Sequence, residues 1–191
     1  MKLSKSMGLA TALFVFGCGQ ANALTIDFSA FTNGALPGNS LVTPNATVTS
    51  SSGLFNLSNF FGAGQGGSIC PFISASFNCQ ADLAFSFTNP IKNLTFNSYG
   101  YDGGDKALIS LFNGSTLLTT LSGYKDALLN FTAAGTVTKI TIKNLGNGAG
   151  YAYGSFKFDA VSTVPVPAAL PLFATAIAAV GLVSRRRKAK R

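Results

Sequence analysis

Histidine, tryptophan and glutamate are absent from this 191-residue chain, and only 10% of its residues are charged. Each gap closes a class of chemistry. Without histidine there is no Ser-His or Cys-His nucleophile pair, and six aspartates are the only side-chain carboxylates for acid–base work. Zinc lacks a ligand set too, because no imidazole stands beside the three cysteines. The missing tryptophan removes the strongest sugar-stacking ring. Scarce charge argues against long solvated helices, whereas 17 phenylalanines supply enough apolar surface to argue against disorder.

The formal charge of +8 suggests a nucleic-acid binder until it is sorted by position. Lys2 and Lys5 stand at one end; Arg185, Arg186, Arg187, Lys188, Lys190 and Arg191 stand at the other. Between Leu24 and Thr163, six lysines meet six aspartates and the span is neutral. The excess therefore reads as membrane topology, and nucleic acid is excluded as a partner.

Residues 1–23 have the parts of a secretory signal: a basic start, the apolar run Met7 to Gly17, and Ala21-Asn22-Ala23 with small residues at the cleavage positions. The mature chain is then expected to begin at Leu24. Lipidation at Cys18, after Val15-Phe16-Gly17, is the alternative. At the other end, Val164-Pro165-Val166-Pro167 precedes an apolar stretch, with a helix expected over 168–184 and a basic end over 185–191. The sixteen residues from Ala168 to Val183 would reach about 24 Å as a helix, short of the ~30 Å hydrocarbon core, so a lasting anchor would be longer. Arg185, Arg186, Arg187 and Lys188 fix the C-terminus in the cytoplasm and the body on the far side of the inner membrane.

This tail resembles the PEP-CTERM sorting signal of Gram-negative bacteria, closest to its Val-Pro-Leu-Pro-Ala variant. Here the motif reads Val164-Pro165-Val166-Pro167-Ala168, with Val166 where the variant has Leu and the commonest form has Glu. The resemblance implies recognition by an exosortase-type transpeptidase and cleavage near the prolines. It further implies transfer or release to the cell surface or extracellular matrix of a bacterium that makes exopolysaccharide.

The body, residues 24–163, reads as an all-β domain. Leu83, Phe85 and Phe87 alternate with small or polar residues, as do Leu94 and Phe96, Ile140 and Ile142, and Phe156 and Phe158. Ala107 to Phe112 and Ser115 to Leu121 flank Asn113-Gly114, a strong hairpin signal. A single β-sandwich of jelly-roll-like type is expected, flanked by the signal helix and the transmembrane helix. Thr32 to Gly67, rich in Gly, Ser and Asn, is expected to hold strands joined by long loops.

Cys70 and Cys79 are expected to form one disulfide in an exported domain. Asp102-Gly103-Gly104-Asp105 reads as a turn, with Asp102 and Asp105 as calcium candidates or a carboxylate pair. Asp27 and Asp159 would meet if the first and last strands pair. Tyr101 and Tyr151, two of five tyrosines, are candidates for stacking on sugar faces if they lie on an open sheet; packing at sheet edges is the competing reading. Five Asn-x-Ser/Thr sequons, at Asn45, Asn56, Asn93, Asn113 and Asn130, read as compositional. Three functions follow: a non-enzymatic surface or matrix protein associated with exopolysaccharide, a carbohydrate-binding module using a tyrosine-rich sheet, and a secreted hydrolase.

Overall fold

The computed structural model describes residues 23–57, 67–73, 78–123, 125–148 and 150–161. It contains twelve strands: Ala23–Ile26 (β1), Gly34–Ala35 (β2), Ser40–Val42 (β3), Ala46–Ser50 (β4), Gly53–Leu57 (β5), Ser68–Phe72 (β6), Leu83–Tyr99 (β7), Ala107–Asn113 (β8), Thr116–Gly123 (β9), Ala127–Phe131 (β10), Val137–Asn144 (β11) and Ala152–Ala160 (β12). Among the described residues one 3-10 turn, Thr132–Ala134, interrupts them. The named strands pair antiparallel throughout and form a single hydrogen-bonded sheet. Among the described residues no helix is long and apolar enough to cross a membrane. The signal segment through Asn22 and the expected tail helix lie outside the described residues.

Strand β7 organises the sheet. Its first part pairs with β4 and β11, and its second part pairs with β10 and β12. One wing therefore runs β3-β4-β7-β11-β8-β9, and the other runs β2-β5-β6-β12-β7-β10 with β1 also on β12. The apolar sides of the wings share one core. Phe156 of β12 meets Phe85 of the first wing at 4.5 Å between ring centroids, and stacks on Phe96 at 4.6 Å. Val48, Ile109, Leu111 and Ile140 complete the fully buried layer from the first wing.

The alternation read from sequence holds within each half of β7 but changes parity between them. Leu83 and Phe85 are buried, and then Leu94, Phe96 and Ser98. The partner strand does the same: Tyr151 and Tyr153 face the core, then Phe156 and Phe158. Asn93 (φ 54°) and Ser155 (φ 53°), the two positive-φ non-glycine residues among those described, mark the switches. The β7–β12 register runs Gly154↔Asn97, Lys157↔Thr95, Asp159↔Lys92, so each strand carries one extra residue against the other. Paired bulges thus turn both strands over and restore the register beyond.

The hairpin stands, but its two-residue turn is Gly114-Ser115, one position later than Asn113-Gly114, because Asn113 pairs with Thr116. Gly114 takes φ 59°, the region that turn requires. The Thr32 to Gly67 region departs from expectation in part. Between Gly34 and Leu57 it forms four short strands with short connections. Thr43, both donating to the Ala46 carbonyl and accepting its N–H, closes one of those turns.

Candidate functional site

The chemistry-bearing residues of the described domain converge where three segments meet: Cys79 to Asp82, Tyr101 to Lys106, and Asn144 to Tyr151. Asp105 sits among them, 2% exposed. Its carboxylate accepts the Gly150 N–H at 3.0 Å and the Asp102 N–H at 3.3 Å. Gly148 lies against the same carboxylate so closely that a Cβ there would stand 2.7 Å from the Asp105 Cγ. Two backbone bonds, Leu145 N–H to Lys106 O and Asn147 N–H to Gly104 O, fasten the glycine-rich loop to the Asp-Gly-Gly-Asp turn. The turn itself closes by bonds from the Gly104 and Asp105 N–H groups to the Asp102 carbonyl. Asp102 is exposed. The two aspartates are therefore placed differently: the Asp105 carboxylate accepts backbone amides, while Asp102 is exposed to solvent. Among the described residues, no group of three or more Cys, Asp or other ligating side chains could hold a metal ion.

Tyr101, Tyr151 and Tyr153 pack beside this carboxylate. Tyr151 stacks on Tyr101 with centroids 4.7 Å apart and planes at 9°, and Tyr153 meets Tyr151 edge-on at 5.5 Å. Tyr151 and Tyr153 have no exposed surface. Their hydroxyls are satisfied internally: Tyr151 donates to Asn144 Oδ1 at 3.2 Å, and the Tyr101 and Tyr153 hydroxyls bond to each other. Burial pushes all three phenols well above the ordinary tyrosine range, with the Asp105 charge nearby adding to the shift. The ring of Tyr151 is thus core, covered by Tyr101, and offers no face to a sugar.

Cys70 and Cys79 are joined in a disulfide, with Cα atoms 5.3 Å apart. It binds β6 to the segment whose Cys79 carbonyl accepts the Tyr151 N–H. Ala152, Phe72 and Phe55 pack around it in a second, smaller apolar cluster. Closing a ten-residue segment contributes roughly 2–3 kcal/mol in the chain-entropy account.

Asp27 and Asp159 do not meet, although β1 and β12 pair. Ala23 lies opposite Asp159 and Ile26 opposite Phe156, so the two aspartates are at opposite ends of the pairing, about 14 Å of strand apart. Asp27 accepts its own Ser29 N–H, and Asp159 accepts from the Asn93 side chain at 2.6 Å. Asn56 is the structural residue that sequence inspection missed. Fully buried, its amide donates to the carbonyls of Phe28, Phe31 and Thr32 and clamps that turn, while its Oδ1 has no partner. Its only sequence signal was a sequon, and its burial closes that position to a glycan in the folded domain. Asn93, Asn113 and Asn130 are exposed, while Asn45 is half-buried and its amide donates to the Thr25 carbonyl at 3.1 Å.

Of the processing signals, Ala23 lies in β1, whereas Ala21, the motif Val164 to Ala168, and the basic run Arg185 to Lys188 lie outside the described residues. No family model matches the chain, and no curated protein is similar to it.

Proposed function

We propose that this chain is an exported, tail-processed surface or extracellular-matrix protein that acts without catalysis, in association with exopolysaccharide. The observation that carries the reading is the partition of charge: a neutral body between two basic, apolar ends, the second bearing Val164-Pro165-Val166-Pro167-Ala168. The fold is compatible with that partition. Ala23 pairs with Asp159, so the described domain begins and ends on neighbouring strands. The carboxylate and tyrosines with chemical potential are committed to holding loops together, which supports a non-enzymatic role. The two wings joined through β7 are, on this reading, the layers of a jelly-roll-like β-sandwich.

Intact-mass spectrometry of the protein from an exopolysaccharide-producing bacterium tests the proposal. The expected mature chain starts at Leu24 and ends near Pro167. A steady-state chain that keeps Arg185 to Arg191 would replace processing with permanent anchoring.

A further inference from the structure

Sheet edges expose unpaired backbone N–H and C=O groups, and proteins blunt them with charge, proline or brevity. Most edges here are short: β2 has two residues, β3 three, β1 four and β10 five. Strand β9 is different. It has eight residues, Thr-Leu-Leu-Thr-Thr-Leu-Ser-Gly, with neither charge nor proline, and its one bulge, at Leu118, leaves Thr119 to Gly123 in regular register with β8. Among the described residues it pairs with β8 alone. Leu117 is 53% exposed and Leu121 38%, so this strand carries two of the five large apolar side chains left exposed in the described domain.

We propose that β9 is a self-association edge, which a second copy of this chain covers by antiparallel β9–β9 pairing about a two-fold axis. The partner is argued from charge and pattern. The body is neutral, with six lysines against six aspartates from Leu24 to Thr163, and the edge itself is uncharged, so like copies meet without repulsion. Leu121 and Thr119 face the core side, opposite Ile109 and Leu111 of β8, while Thr120 lies opposite Ser110 on the other side. A register centred on Thr120 keeps the opposed pairs of the regular stretch Thr119 to Leu121 on one face, while the bulge at Leu118 turns Leu117 to the other side. Leu121 then meets Thr119 of the second copy, which covers its exposed surface, and Thr120 meets its own mate. Two six-stranded wings would join into one continuous sheet, and because the contact is isologous it closes at two. This inference is independent of the sorting proposal.

The test uses the full-length chain with Cys18→Ser, so that an introduced cysteine is the only free thiol beside the Cys70–Cys79 disulfide. Opposed residues in an antiparallel pair have Cα atoms about 4.5–5.5 Å apart, within disulfide reach. Thr120→Cys is therefore expected to give a covalent dimer on mild oxidation, and Thr88→Cys, exposed on β7, is not. Separately, Thr120→Lys should halve the protein mass seen by sedimentation while leaving the β circular-dichroism signal intact. Thr120→Glu is the second charge variant should the lysine fail to fold. A monomeric parent chain, a dimer indifferent to both charges, equal cross-linking at Thr88 and Thr120, or growth beyond two copies would each overturn the assignment.

Discussion

Asp105 shows how far a single residue's role depends on the direction its side chain takes. The Asp-Gly-Gly-Asp run is legible in sequence as a turn, and it is one. Nothing in that spelling tells which aspartate points inward. That choice is made more than forty positions away, by Gly148, whose missing side chain leaves room for the carboxylate, and by Gly150, whose N–H donates to it. Asp105→Ala would leave the Gly150 and Asp102 amides without their acceptor, at a cost of about 2 kcal/mol or more. Asp105→Asn, which keeps one acceptor oxygen, should lose less. Urea denaturation midpoints of the two variants check the order. Calcium is expected to leave the midpoint of the parent chain unchanged; a rise that Asp105→Asn abolishes would instead place an ion at this loop. The tyrosines mislead for a related reason. Tyrosine beside glycine reads as a loop residue at a surface, yet a glycine also lets backbone approach a phenol closely, as Gly123 does at the Tyr101 hydroxyl.

Among the elements, the strand pair β7–β12 repays comparison with its sequence. Leu83-Phe85-Phe87 and Leu94-Phe96 are both legible as half-buried strands, but the change from odd to even positions across Thr88-Asn89-Pro90 looks like a turn between two strands. It is one strand of 17 residues that changes face at Asn93. A single left-handed residue shifts the period without leaving a compositional mark, since Asn and Ser are common throughout this chain. Asparagine tolerates that conformation better than serine does. Ser155 at φ 53° carries a penalty of about 1–2 kcal/mol that glycine avoids, partly offset by the greater freedom of glycine in the unfolded chain. Ser155→Gly is therefore expected to raise stability by up to about 1 kcal/mol, even with loss of the long 3.4 Å contact to the Tyr99 hydroxyl. Ser155→Val, β-branched at the same angle, should lower it. Thermal melts of the pair decide the point: if valine is tolerated as well as glycine, the bulge is not held in the left-handed region. The short strands between Gly34 and Leu57 were less legible still, because runs of two to five residues carry too few alternations to count.

On the scale of the whole molecule, the two wings, the disulfide-linked segment and the glycine-rich loop are all joined through the tyrosine cluster. Tyr153 touches Phe96 at the centre of the core, Tyr151 receives the loop through Asn144 and Cys79, and Tyr101 holds the start of the segment leading to β8. Ionising any of these phenols inside the fold would place an anion in apolar surroundings beside Asp105. Burial is the main cause of their raised pKa values, so the folded state holds their protons more tightly than the unfolded chain, whose tyrosines titrate near pH 10. The sign follows directly. Their contribution to stability is fully present below about pH 10 and is lost as pH rises above it, because the unfolded chain then releases protons that the folded chain keeps. Alkaline titration should therefore show the tyrosinate absorbance of this trio appearing together with the loss of the β circular-dichroism signal, in one cooperative step. Tyr151→Phe, which removes one of the three phenols and one hydrogen bond to Asn144, should move that step to higher pH while lowering stability near neutrality. Tyrosinate that forms gradually with the sheet intact would mean that water reaches the cluster. In that case the core is not closed at the point where loops and wings meet.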